Sequence, residues 1–213
     1  MAAVSVKHNV AALRRELRRW PKQVAFASAN AITKTAWDSK RAVDKQLKTK
    51  LDRPTPFTLK AVSVDRATKT KQRAVVAIRP NRWQYLQWVI DGGTKRPAHR
   101  ALTMPVGVKT NKHGNMTRST VKRLLAKRAK TGHGSTFSGV PRGQPGAKPG
   151  IYMRLGRGKA KGRANLSLMV GYRRHANYRG GIIPFNKIVK NVVRNRMPRN
   201  VEAAVKQALT TRR

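Results

Sequence analysis

Apolar and polar positions are patterned most cleanly over residues 53–97, and the rest of the chain is read outward from there. Pro54 and Pro56 stop whatever precedes them, because proline donates no backbone hydrogen bond and holds its neighbour extended. Residues 57–64 then alternate, with Phe57, Leu59 and Ala61 on one face and Thr58, Lys60 and Val62 on the other. Residues 73–79 alternate again, placing Ala74, Val76 and Ile78 together. The polar, basic link 65–72 suits a hairpin loop. Pro80-Asn81 is expected to turn the chain, and 83–90 forms a further ordered segment with three aromatics, closed by Asp91-Gly92-Gly93.

Flanking this hairpin and aromatic segment (54–93) are helical periodicities. Residues 6–51 carry Leu13, Leu17, Trp20, Val24, Ala27 and Ala31 at spacings of three and four, continued by Val43, Leu47 and Leu51. Pro21 interrupts the run and either starts a second helix or kinks one long helix. At the other end, 184–211 contains two helical patterns. Ile188, Val189, Val192 and Val193 form the first, and Val201, Ala204, Val205, Ala208 and Leu209 form the second. Pro198 is expected to break them apart.

Between these lie two further segments. Over 94–149 glycine, proline and basic residues accumulate, making a basic, partly extended insertion. It has room for one short strand at 102–108 and one short helix at 117–130, with Val121, Leu124, Leu125 and Arg128 at helical spacing. Its remainder, GHGSTFSGVPRGQPGAKPG, holds too little apolar surface to offset its ordering entropy. Over 150–172, residues 151–155 and 166–172 read as a second strand pair joined by GRGKAKGRAN. The expected architecture is therefore α+β: one domain over 1–213, a small antiparallel sheet packed with long N-terminal and C-terminal helices, and extended basic loops.

Charge changes this picture more than any other property of the 213 residues. There are 49 Lys and Arg against 7 Asp and Glu, a formal charge of +42. Such an excess repels itself and calls for an anionic partner: nucleic acid, an acidic protein surface or an anionic membrane. No cysteine is present, which removes disulfides and thiolate metal sites. The start MAAVSVKHNV lacks the apolar core of a signal peptide. No apolar run approaches the roughly 20 residues of a membrane span. Synthesis in the cytoplasm and no membrane partner are the expectations.

The order of these landmarks carries a resemblance. PTPFT at 54–58, YLQWVIDGGTKRP at 85–97, GIYMRLGRG at 150–158 and PFNKIVKNVV at 184–193 make the chain similar to the bacteriophage and prophage minor tail protein Z family. The resemblance runs from Leu13 to Leu209, and residues 110–149 depart from the family pattern. It implies a virion structural protein, a tail-completion component of the neck or upper tail that joins tail to head. It further implies an α+β fold assembled as a homo-oligomeric ring. Portal or connector, tail-terminator and tail-tube proteins would be its partners.

The cations Lys95, Arg96, Arg100, Lys109, Lys112, Arg118, Lys122, Arg123, Lys127, Arg128 and Lys130 crowd one stretch, and Arg157, Lys159, Lys161 and Arg163 another. A charge run is usually a solvated face, but here almost no acids are interspersed. Two functional readings stay open: contact with phosphates of double-stranded DNA without sequence specificity, or contact with acidic virion proteins. The aromatics Trp83, Tyr85 and Trp88 fit base stacking less well than a core or subunit interface, given Leu86, Val89 and Ile90 beside them. The run 156–162 has neither the Walker nor the dinucleotide spacing. His8, His99, His113, His133 and His175 are scattered without metal-ligand spacing. Asp91 is a lone carboxylate better suited to a turn than to catalysis. Asn115-Met-Thr and Asn165-Leu-Ser match the glycosylation pattern by chance. No catalytic, metal-binding or cofactor-binding residues are expected. A dedicated sequence-independent nucleic-acid-binding protein is the alternative to the virion role, and a phosphate-acting enzyme lacks the carboxylates for it.

Overall fold

A computed structural model describes residues 3–6, 21–129, 134–142, 144, 146–157 and 164–210. The fold is α+β, with long helices near both ends of the described chain and small antiparallel sheets between them. Contacts gather into two units, Met1–Gly92 with Arg179–Arg213, and Gly93–Tyr178. The inserted unit is thus longer than the 94–149 segment and takes in the strand pair at 150–172.

In the first unit, helix α1 is described over Pro21–Lys50, from the proline that marks the break in the sequence pattern. Leu13, Leu17 and Trp20 lie outside the described residues. Its buried stripe, Val24, Ala27, Ala31, Ile32, Thr35, Ala36, Ser39, Val43 and Leu47, recurs every three or four residues. The hydroxyls of Thr35 and Ser39 in this stripe are satisfied by the helix itself: Thr35 donates to the Ala31 carbonyl at 2.8 Å and Ser39 to that of Thr35 at 2.9 Å. A short helix α2 (Pro56–Leu59) follows, then strands β2 (Val62–Asp65) and β3 (Ala74–Ile78), which pair antiparallel. Residues Ala3–Val6 form β1 on the other side of β3, giving the order β1-β3-β2. Ala74, Val76 and Ile78 are all buried, as their alternation requires. The β2–β3 loop is pinned to α1: Gln72 Nε2 donates to the Ala25 carbonyl at 2.9 Å and the Ala67 N–H to Thr33 Oγ1 at 3.1 Å.

Helix α3 (Pro80–Ile90) starts at Pro80, whose fixed φ and missing N–H suit a first turn. Helix α5 (Phe185–Thr210) closes the unit against α1, and helix α4 (Thr120–Ala126) belongs to the other unit. Phe185, Val189 and Met197 enter the same core as Ile32, Val43, Leu47 and Ile78. Asn200 fixes the pairing through a buried polar contact, its Nδ2 donating to Thr35 Oγ1 at 2.9 Å and Asp38 Oδ2 at 3.0 Å.

Four expectations are corrected here. Val6 belongs to a strand and not to a helix, because a β3 edge is there to pair with it. Residues 57–59 turn as a helix, because Thr55 caps it: its Oγ1 accepts from the Thr58 N–H at 3.2 Å, with Pro56 in the first turn. Pro80-Asn81 opens a helix where a turn was expected. Pro198 does not separate two helices; α5 runs through it, with Pro198 exposed and Met197 and Asn200 seated in the interface on either side. Packing on both flanks outweighs the local cost of the missing hydrogen bond to the Arg194 carbonyl.

The second unit has two sheets. β4 (Gly93–Lys95) pairs with β9 (Ala176–Tyr178), and β5 (Leu102–Pro105), β8 (Ala164–Arg173), β7 (Gly150–Arg157) and β6 (Thr136–Gly139) form a four-stranded antiparallel sheet in that order. Helix α4 (Thr120–Ala126) and a 3-10 turn (Lys127–Ala129) supply Leu124 to a small core with Ile151 and Val170. Residues 136–139, expected to lack order, form the β6 edge strand. The Thr136 hydroxyl donates to the Leu124 carbonyl, and Phe137 stacks on Tyr152 with ring centroids 5.5 Å apart. Among the described residues no helix is long and apolar enough to cross a membrane.

Replacing Pro198 tests the argument that packing carries α5 through it. Pro198→Ala restores a donor to the Arg194 carbonyl at an exposed site and is expected to stabilise the chain by about 1–3 kcal/mol in urea denaturation. A loss of stability would mean that the proline geometry itself seats Met197 and Asn200.

Candidate polyanion-binding unit

The charge of the chain is unevenly divided between the two units. Residues 93–178 hold 20 of the 49 Lys and Arg and not one of the 7 Asp and Glu. With no carboxylate in its own sequence, this unit can form no internal ion pair. The ion pairs found among the described residues are Lys40–Asp44, Arg41–Asp38, Arg53–Asp52 and Lys206–Glu202, all in the first unit. There, hydrogen bonding from Arg53 and Lys206 holds the Asp52 and Glu202 carboxyls below their ordinary range and raises the two cations correspondingly.

The expected cations fall in different places within the unit. Arg100, Lys109, Lys112 and Arg118 are exposed in loops. Lys112 sits on a tight turn in which Asn111 Oδ1 accepts from the N–H groups of His113 at 2.9 Å and Asn115 at 3.0 Å. On α4 and the following turn, Lys122, Arg123, Lys127 and Arg128 face solvent while Thr120 and Leu124 are buried. The expected stripe of Val121, Leu124, Leu125 and Arg128 is therefore only half right. Leu125 is 40% exposed, because the short helix meets the sheet along the Thr120–Leu124 side. Arg157 ends β7, and nothing further is described of its side chain; Lys130, Lys159, Lys161 and Arg163 lie outside the described residues.

Arg154, not singled out from the sequence, is used within the sheet. Its guanidinium lies 5.0 Å from the Phe137 ring centroid and donates to Ser135 Oγ at 3.0 Å.

The β4–β9 ribbon gathers a different set. Thr94 stands directly opposite Asn177, and the Thr94 hydroxyl donates to Asn177 Oδ1 at 2.9 Å. Arg96 lies just past the end of β4 and His175 just before β9, beside the Thr94–Asn177 pair. Together with Pro97 and Arg174 they line a shallow cleft of about 630 Å³. Lys95, paired with Ala176, belongs to the opposite face and is half-buried. Sequence reasoning found Arg96 but missed Thr94, Arg174, His175 and Asn177. The only local signal was the alternation Thr94-x-Arg96 and His175-x-Asn177, and nothing in the chain between them announces that these dipeptide steps pair.

The aromatic residues are in the other unit, on α3. Trp83 and Tyr85 pack against its core, Tyr85 donating to Thr58 Oγ1 at 3.1 Å, and Trp88 is half-buried. Asp91 is the C-cap of α3, its N–H donating to the Gln87 carbonyl at 2.7 Å. Among the described residues no three His, Asp or Glu side chains are placed to share a metal ion. Comparison with family models, with curated proteins and with solved structures found no match for this chain.

A unit with cations and no acids should be held back by its own repulsion. Raising salt from about 10 mM to about 150 mM shortens the screening length from about 30 Å to about 8 Å, and calorimetry of the full chain is expected to show a higher unfolding midpoint. A midpoint indifferent to salt would remove like-charge repulsion as a significant term.

Proposed function

We propose that this chain is a non-enzymatic structural protein of a bacteriophage virion. In this reading it is a tail-completion component of the neck or upper tail that joins tail to head. The first unit is the ring-forming body, and Gly93–Tyr178 is the part that meets a polyanion. The observation that carries the polyanion half is the acid-free composition of that folded unit. Exposed cations on α4 and the neighbouring loops meet duplex DNA without reading its sequence, since phosphate contacts position a protein but do not specify bases. The virion half rests on the ordered motifs PTPFT, YLQWVIDGGTKRP, GIYMRLGRG and PFNKIVKNVV.

A ring needs two different surfaces that match between successive copies. Phe26 and Phe57, each 47% exposed on the body, supply apolar contacts of the kind such an interface uses. Each already carries a cation over its ring, Lys69 at 5.3 Å and Arg82 at 4.0 Å. A second reading, a dedicated sequence-independent nucleic-acid-binding protein, is favoured by the same acid-free unit. It leaves the paired long helices of the body without a task.

One measurement separates these readings and a second tests the contact they share. Purified phage particles labelled with antibody are expected to carry the chain at the head–tail junction; absence from particles, with co-purification on ribosomes or nucleoids, would select the second reading. Titration of isolated protein with duplex DNA is expected to give a log–log salt slope near −5, as for roughly six phosphate contacts. No binding at low salt would discard the nucleic-acid contact in both.

A further inference from the structure

We propose that the cleft on the β4–β9 ribbon is a seat for one phosphodiester group of duplex DNA, gripped through its oxygens and not read through its bases. The proposal rests on the reading of Gly93–Tyr178 as the polyanion-facing unit and gives that unit a specific point of attachment.

The ribbon and the residues just beyond its strands bring donors of several kinds to one cleft. Arg96 and Arg174 offer planar guanidinium forks, which match the paired oxygens of a phosphate. His175 adds an imidazole N–H. Asn177 is oriented by its neighbour: because its Oδ1 accepts from the Thr94 hydroxyl, the Nδ2 hydrogens are the part of the amide presented for donation. The remaining wall is Pro97, which is rigid and has no donor of its own. No carboxylate exists anywhere in the unit to neutralise the two guanidiniums from within.

The lining also decides the occupant. It contains no Phe, Tyr or Trp, so it lacks the broad aromatic platforms on which single-strand binders stack successive bases. An acidic protein side chain would satisfy one fork and leave the surrounding cations unmatched. Duplex DNA presents a charge about every 1.7 Å along its axis, and so engages the exposed Lys122, Lys127 and Arg128 of the same unit without a matched arrangement. Those cations supply diffuse attraction; the cleft supplies hydrogen-bonded grip.

Neutral substitutions separate grip from diffuse charge. Binding of a short labelled duplex to the full chain is followed by fluorescence anisotropy at several salt concentrations, with the thermal midpoint of each variant as the check on folding. Asn177→Ala changes no charge and is expected to weaken binding about tenfold, the loss of one hydrogen bond to a charged oxygen. Thr94→Val, a good strand former, removes the hydroxyl that orients the amide and is expected to lose severalfold. The pair Arg96→Gln with Arg174→Gln is expected to lose about ten times more than the charge-matched pair Lys122→Gln with Lys127→Gln.

Each result has a consequence. If the wild-type chain ignores duplex DNA at low salt, this seat and the nucleic-acid reading of the unit fall together. If the wild type binds with the expected salt slope while both neutral variants match it and the two double variants lose equally, the seat alone falls. If poly-glutamate binding depends on Asn177 and duplex binding does not, the occupant is an acidic protein and the proposal is overturned.

Discussion

Like-charge repulsion is the constraint to which the rest of this chain answers. With 7 carboxylates for 49 cations, neutralisation is scarce, and the protein confines it to one unit. Asp38 and Asp44 serve α1 through Arg41 and Lys40, and Asp38 also meets Asn200 of α5. Glu202 relieves the outer turn of α5 through Lys206. The exposed Lys206–Glu202 pair adds little to the stability of the fold, and the half-covered Lys40–Asp44 pair joins residues of one helix, so neither holds the two helices together. The holding is done by the core of Ile32, Val43, Leu47, Val76, Phe185 and Val189. The other unit has a smaller core, centred on Leu124, Ile151 and Val170, and no acids at all. Charge is left unrelieved where burial is least able to offset it, which is the physical reason for looking outward for an anion.

Much of the first unit was legible from the sequence because its signals are local. The α1 stripe and the Ala74–Val76–Ile78 face both follow from spacing within a few residues. The misreadings have a common cause. The alternation over 57–64 also fits a capped turn, and only the Thr55–Pro56–Thr58 grouping distinguishes them. Pro198 is a helix breaker by propensity, yet Met197 and Asn200 are anchored to α1 from far along the chain. The β6 strand at 136–139 exists because β7 lies beside it, and composition is blind to a neighbour.

The candidate site divides in the same way. That 94–149 and 157–163 are basic is a matter of counting, and the counting pointed to a polyanion. Which cations share a surface is not. Arg96 and Lys95 are adjacent in sequence, yet Arg96 lines the cleft and Lys95 does not, while Arg96 and His175 share that cleft across a long stretch of chain. Arg154, equally cationic, is committed to Phe137 and Ser135. Charge is visible in one dimension; the grouping of charge requires the register.

The pairing of Gly93 with Tyr178 has one more implication. The first and last residues of the basic unit stand on neighbouring strands, about 5 Å apart. On the host side, Gly180 packs so tightly on Asp91 that a Cβ would lie 2.5 Å from its carbonyl oxygen. Both halves of the junction are thus closed on themselves. A cassette whose ends meet can be shortened, lengthened or exchanged without rethreading its host, because its two attachment points stay one strand spacing apart.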